Sequence, residues 1–146
     1  MRSSPRPWVR VDSGTVSPTL QADRGAVEDR IEVSQASETV IVTLQGEHDL
    51  SNSRLLEGTL KGLVHADCRV IVDLSHAEFI DSSILSTLLA SDRLATQCGR
   101  RLILQVATSP AVKRVLEISG VSELLPCEAT REAAIAAAWR DLPVLG

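Results

Sequence analysis

The fold is decided by residues 69–99, RVIVDLSHAEFIDSSILSTLLASDRLATQCG. Residues 70–74 are an apolar run rich in β-branched side chains, which is typical of a strand buried on both faces of a parallel sheet. After a short connection come Asp81, Ser82 and Ser83, three residues that can cap a helix. Because the apolar residues after them recur on one helical face, the stretch predicts a central strand and then a helix.

The capping residues also define a chemical environment. At a helix N-terminus the first backbone N–H groups lack intrahelical partners and the macrodipole favours negative charge, so a phosphate would be stabilised there. Two or more hydroxyls therefore lie where a phosphate would be stabilised. Asp and Ser at such a junction are more often plain caps, so this pattern alone does not establish a function.

Composition limits the class of protein. The chain has 146 residues, 44% hydrophobic and 23% charged, which fits one globular domain with an ordinary core. Its formal net charge of −4 argues against direct binding of nucleic acid. No apolar run approaches the ~20 residues of a spanning helix, and the N-terminus lacks the apolar core of a signal peptide, so we expect a cytoplasmic protein without a membrane span.

The rest of the chain predicts alternating strands and helices around this centre. Residues 1–24 are rich in Pro, Ser and Arg and predict a disordered tail, with an arm anchored by Trp8 as the alternative. The domain itself is assigned to residues 25–146. Residues 30–44 predict a β-hairpin or two neighbouring strands, and after Gly46 the second strand ends with Glu47, His48 and Asp49. The further predicted elements are a helix over 51–65, a strand over 102–106, a helix from Ser109 to Gly120, a last strand at Leu124 and Leu125, and a helix from Thr130 to Arg140.

This order predicts an α/β layered domain with a mixed, mostly parallel central sheet and helices packed against it. One residue does not fit the pattern. Asp92 falls within the apolar arc of the helix after Ser83, so either that part of the helix is exposed to solvent or Asp92 has a partner.

The segment VIVDLSHAEFIDSSIL resembles the signature of the STAS-domain anti-sigma factor antagonists. Two further stretches are similar to motifs of that family, residues 42–49 (VTLQGEHD) to its strand ending in Gly-Glu-Leu-Asp and residues 109–116 (SPAVKRVL) to its Ser-Pro helix. Together the three motifs cover about residues 30–140, in the family's order. Ile84 stands where many members have Gly.

The resemblance implies a STAS fold and a binding function. Its partner would be an anti-sigma factor of the serine protein kinase type, bound by the unphosphorylated form so that a sigma factor is released. Ser83 would be the phosphorylated residue, with Ser82 as the next choice. The docking surface implied for the partner comprises Asp81, Ser82, Ser83 and Ile84 together with Glu47, His48 and Asp49. We expect a monomer or weak dimer.

A second class of function stays open, a STAS-like accessory or structural subunit of a transporter or signalling complex without a phosphate switch. An enzyme is disfavoured, because the chain has no Gly-rich loop followed by Lys and no G-x-S-x-G elbow. His65, Cys68 and His76 lack a standard four-ligand spacing, so no metal is predicted, and no cofactor either.

Overall fold

The computed structural model describes residues 29–106 and 110–140; the predicted tail over 1–24 lies outside them. The strands are β1 (Arg30–Ala36), β2 (Thr39–His48), β3 (Val70–Asp73), β4 (Ala77–Ile80), β5 (Ile103–Gln105) and β6 (Cys127–Glu128). The helices are α1 (Leu50–His65), α2 (Ser82–Gln97), α3 (Pro110–Ser119), α4 (Val121–Leu124) and α5 (Arg131–Ala138). The sheet has the order β1-β2-β3-β5-β6, with β4 paired to β2. Only β1 and β2 pair antiparallel in the described chain, which confirms the predicted fold class.

The central strand is β3, as predicted, and all four of its residues are buried. Its side chains alternate between two apolar layers, because successive residues of a strand point to opposite faces. The layer shared with α1, α2 and α3 includes Val42, Val72 and Leu104. The opposite layer, covered by α5, includes Ile41, Ile71 and Ile103.

Strand β2 continues past Gly46 to His48, which confirms the strand end predicted at Glu47, His48 and Asp49. Gly46 adopts a φ of +84°, a left-handed conformation that glycine reaches without strain. The register of the β2–β4 pair shifts between Gly46 and Glu47, and the extra residue of this bulge is Glu78 in β4. The prediction of a simple connection between β3 and α2 was wrong, because residues 77–80 form β4. Residues 77–80 do not alternate in polarity, so nothing in their pattern predicts a strand. They pair with β2 only because β2 continues beyond Gly46.

The end of the chain differs from its prediction as well. Leu124 closes the short helix α4 instead of starting a strand, and the last strand is β6. The reason is Gly120, whose φ of +84° lets the chain turn directly from α3 into α4. Thr130 caps α5 as predicted, its hydroxyl accepting from the Ala133 N–H at 3.1 Å, but α5 ends at Ala138 and not at residue 140. The predicted cap Ser109 lies outside the described residues.

The C-terminal end of α5 is attached to the sheet edge where the parallel strands begin. The indole Nε1 of Trp139 donates to the Thr39 hydroxyl at 3.2 Å. The Arg69 guanidinium lies 4.0 Å from the centroid of the Trp139 ring and donates from Nη1 to the Ala138 carbonyl at 2.9 Å. These contacts join the end of α5 to the chain just before β3 and at the start of β2, so α5 is held across the sheet.

Asp92 has a partner, which answers the question left by the sequence. Its carboxylate accepts from Arg101 Nε at 3.0 Å and Nη2 at 3.2 Å, and from the Leu102 N–H at 2.9 Å. Arg101 Nη2 also donates to the Leu124 carbonyl at 2.7 Å. One carboxylate thus ties α2 to the chain before β5, and its arginine extends the link to the end of α4.

We expect Asp92→Ala to lower the free energy of unfolding by about 2–3 kcal/mol, because the Leu102 N–H and the Arg101 guanidinium lose their acceptor where the Asp92 side chain is only 14% exposed. Glu57→Ala is the matched control. It removes the half-exposed Glu57–Lys61 ion pair of 3.2 Å and should cost less than about 1 kcal/mol. Urea unfolding measures both; equal losses would contradict the structural role of Asp92.

Candidate functional site

The candidate site is built where two parallel strands end side by side. Glu47 of β2 is in register with Phe79 of β4, and His48 with Ile80. Each strand is followed at once by an aspartate, Asp49 or Asp81, that caps a 16-residue helix. The pairing therefore brings the N-termini of α1 and α2 to the same edge of the sheet.

Asp81 organises the start of α2 through a single oxygen. Its Oδ1 accepts from the Ser83 N–H at 2.9 Å and the Ile84 N–H at 3.2 Å, which satisfies two donors that would otherwise lack partners. The same oxygen accepts from the Ser83 hydroxyl at 2.5 Å. Ser83 is half-buried and Ser82 is exposed. The hydroxyl of this half-buried serine thus lies against a carboxylate.

Asp49 makes the equivalent cap on α1. Its Oδ1 accepts from the Ser51 N–H at 2.9 Å and the Ser51 hydroxyl at 2.6 Å, while the Asn52 side chain accepts from the Asp49 N–H at 3.0 Å. The hydrogen bonds from the Ser51 hydroxyl and backbone lower the pKa of the Asp49 carboxyl. The exposed Asp49 is therefore a fixed negative charge beside the Ser83 site at neutral pH.

The comparisons with known proteins agree with this architecture. Residues 31–126, more than half of the chain, match the family model described as "Mlab, STAS domain". The chain belongs to the STAS-domain family.

Solved STAS proteins share the fold at low sequence identity. An anti-sigma factor antagonist from Mycobacterium paratuberculosis is 23% identical with a TM-score of 0.65, over 75% of this chain and 92% of that one. A phosphorylated form of SpoIIAA, a Bacillus cell fate determinant, is 24% identical with a TM-score of 0.58, over 73% and 97%. An anti-sigma-factor antagonist domain protein from Planctomyces limnophilus is 18% identical with a TM-score of 0.64, over 74% and 97%.

The structure separates the residues of the expected docking surface into two groups. Glu47, Asp49 and Ser82 are exposed, and Asp81 and Ser83 are half-buried, all at the shared edge. His48 and Ile84 are 0% exposed and present no atoms to a partner. Their positions explain this, because β2 alternates past the bulge so that His48 points inward, and Ile84 lies on the buried side of α2. Ile84 consequently packs in the core.

Sequence reasoning missed two exposed apolar residues at the same edge, Leu50 and Phe79. Leu50 is the first residue of α1, directly after the Asp49 cap. Leu50 could have been recognised from the sequence as a candidate exposed residue, because it is a large apolar residue at the first helical position, ahead of the buried stripe. Phe79 gave none, because β4 was not predicted.

The described residues form neither a metal site nor a membrane-spanning helix. Over 29–106 and 110–140, no three His, Cys, Asp or Glu side chains come together in a way that would hold a metal ion. In the same ranges, none of the helices has the length and apolar character needed to cross a bilayer.

His48 is the buried residue directly before the Asp49 cap. Its Nε2 donates to the Gln45 carbonyl at 2.8 Å, so the ring carries its proton there when it is neutral. Burial lowers the pKa of His48, an effect that the Gln45 hydrogen bond and the charges of Asp29 and Asp49 oppose only in part. The folded protein therefore favours the neutral ring.

This pKa predicts a loss of stability in mild acid. Since the folded pKa is lowered, the contribution of His48 is fully present above the unfolded pKa of about 6.5 and is lost as pH falls through the folded pKa. We expect the free energy of unfolding to fall below about pH 6.5 by up to about 1.4 kcal/mol per pH unit from this group. His48→Gln should flatten the profile. Parallel profiles for wild type and His48→Gln would contradict the assignment.

Proposed function

We propose that this STAS domain is an anti-sigma factor antagonist, a protein-binding module switched by phosphorylation of Ser83. In its unphosphorylated form it binds an anti-sigma factor of the serine protein kinase type, and this binding releases a sigma factor to regulate transcription. The observation that carries the proposal is the half-buried Ser83 hydroxyl, hydrogen-bonded to the Asp81 carboxylate at the sheet edge that also carries the exposed Glu47 and Asp49.

The geometry favours Ser83 over Ser82 as the phosphoacceptor. The Ser83 Oγ proton already points at Asp81 Oδ1, 2.5 Å away, so a carboxylate is in place to draw that proton off as a phosphoryl group is attacked. Ser82 is more exposed but stays the next choice, because the described chain places no such acceptor against its hydroxyl. The kinase supplies the catalytic machinery; the chain itself is a substrate and binding partner, not an enzyme.

Phosphorylation would affect the fold and the docking surface very differently. The added charge of about −1.5 to −2 is favoured at the start of α2 by roughly 0.3–1 kcal/mol and is repelled by Asp81 to a similar degree. The net change in folding stability is therefore small. A partner docked over the same site must desolvate the new charge, and disrupting a buried polar contact in this way typically costs about 2–5 kcal/mol. The switch thus acts on binding.

The known forms of a structural neighbour support a phosphate-dependent role for this fold. SpoIIAA has been solved in an unphosphorylated form, named there as an anti-sigma factor antagonist, and in a phosphorylated form. The proposal includes a monomer or weak dimer, because docking of the partner needs a free edge at the starts of α1 and α2. It also includes a cytoplasmic location.

We expect Ser83→Glu to weaken binding to the anti-sigma factor by about 30-fold to several thousand-fold with a nearly unchanged melting temperature. Ser83→Ala should bind and resist phosphorylation. Calorimetry with the purified serine-kinase-type anti-sigma factors of the same genome measures affinity, and intact mass after incubation with ATP counts the phosphoryl groups added.

Ser51→Ala is the matched control, because it removes the equivalent cap hydrogen bond on α1 without touching the proposed phosphoacceptor. It should still accept one phosphoryl group. A modification that persists in Ser83→Ala and disappears in Ser82→Ala would identify Ser82, and not Ser83, as the phosphoacceptor. If neither serine is modified and Ser83→Glu binds like wild type, the chain is instead an accessory subunit without a switch.

A further inference from the structure

Two large apolar side chains are exposed at the edge that carries Ser83. Leu50 is 71% exposed and Phe79 46% exposed. Phe79 is held there by its register pairing with Glu47, and Leu50 by its position directly after the Asp49 cap. Both residues therefore sit on paired strand ends and rigid helix starts, and not on a free loop.

Leu50 lies at the first position of α1, beside the buried stripe and not within it. Its neighbours one and two turns along the same side of the helix are Arg54 and Glu57. Leu50 is exposed because α1 begins at the sheet edge, where no element of the described chain covers it. A large apolar side chain on a rigid, uncovered helix start is suited to contact with a partner.

The surroundings of this apolar pair are acidic. Glu47, Asp49 and Glu78 are exposed carboxylates next to it in sequence or register. Asp49 remains ionised at neutral pH because hydrogen bonds from Ser51 lower its pKa. Arg54, one turn further along α1, is the nearest exposed cation in that helix. The patch thus combines an apolar centre with a negative rim, the arrangement of many protein interfaces.

We propose that Leu50 and Phe79 anchor the partner, and that the partner presents an apolar contact flanked by arginine or lysine side chains. This inference rests on the proposed function and specifies the chemistry of the anti-sigma factor surface that docks at the Ser83 site. The apolar centre supplies the affinity, and the carboxylates of Glu47, Asp49 and Glu78 supply attraction at long range.

The arrangement also explains how a phosphate would act against a basic partner. A phosphoryl group on Ser83 increases the long-range attraction, but it lies beside apolar anchors whose contact excludes water. Desolvation of the phosphate then opposes the close contact. We therefore expect the switch to act through faster dissociation and not through slower association.

The test uses the full chain and the same purified serine-kinase-type anti-sigma factors. Leu50→Ser and Phe79→Ser should each raise the Kd by about 10-fold or more through faster dissociation, at any salt concentration. Ile118→Ser is the matched control, since Ile118 is 73% exposed but lies in the last turn of α3, which leads away from this edge. It should change the Kd by less than about twofold.

The charged rim has its own test. Glu47→Gln and Glu78→Gln should slow association and flatten its dependence on salt, whereas Glu117→Gln, an exposed position on α3, should do neither. Melting curves confirm that each variant is folded. Association that speeds up on removal of Glu47 or Glu78 would overturn the basic character assigned to the partner.

The outcomes separate this inference from the phosphorylation switch. If Ser83→Glu abolishes binding while Leu50→Ser and Phe79→Ser bind like wild type, the anchors are refuted and the switch stands. If the anchor variants lose binding while no serine is phosphorylated, the surface stands and the switch is refuted. If none of the anti-sigma factors binds the wild-type chain, both fail.

Discussion

The functional edge of this protein depends on the second pairing that β2 makes. Over its first half β2 pairs with β3, and beyond Gly46 it pairs with β4. Without that extension, residues 77–80 would lack a partner strand, and nothing would align the start of α2 with the start of α1. Gly46 begins this second pairing with a φ of +84°, a conformation that glycine adopts without strain, and the bulge that follows has its extra residue, Glu78, in β4.

The aligned helix starts concentrate charge in one place. Both helices are capped by an aspartate whose Oδ1 accepts from a backbone N–H and from a serine hydroxyl. Each carboxylate is stabilised by the positive end of its helix, which offsets part of the repulsion among the negative charges at this edge. In the switch that we propose, a phosphoryl group on Ser83 adds to these charges and acts mainly on the partner that docks there.

Long-range links keep this edge fixed relative to the rest of the domain. Asp92 connects the middle of α2 to the chain before β5 through Arg101 and Leu102. At the opposite edge, Arg69 and Trp139 attach the end of α5. Helices on both faces are thus restrained, and the surface around Ser83 is presented by rigid elements, which limits the entropy lost when a partner binds.

The sequence by itself determined the α/β class, the buried centre at β3, the hairpin of β1 and β2, and the Asp81 cap that places Ser83 at the start of α2. Each of these depends on local chemistry: an unbroken β-branched run, alternating polarity, or a capping residue before an apolar helical face. Only the tertiary structure decided that β4 is a strand, that Leu124 is helical, that His48 is buried, and that Leu50 and Phe79 are exposed at the same edge. These features follow from contacts between residues distant in sequence and from one β-bulge, and neither leaves a periodic signal in the chain.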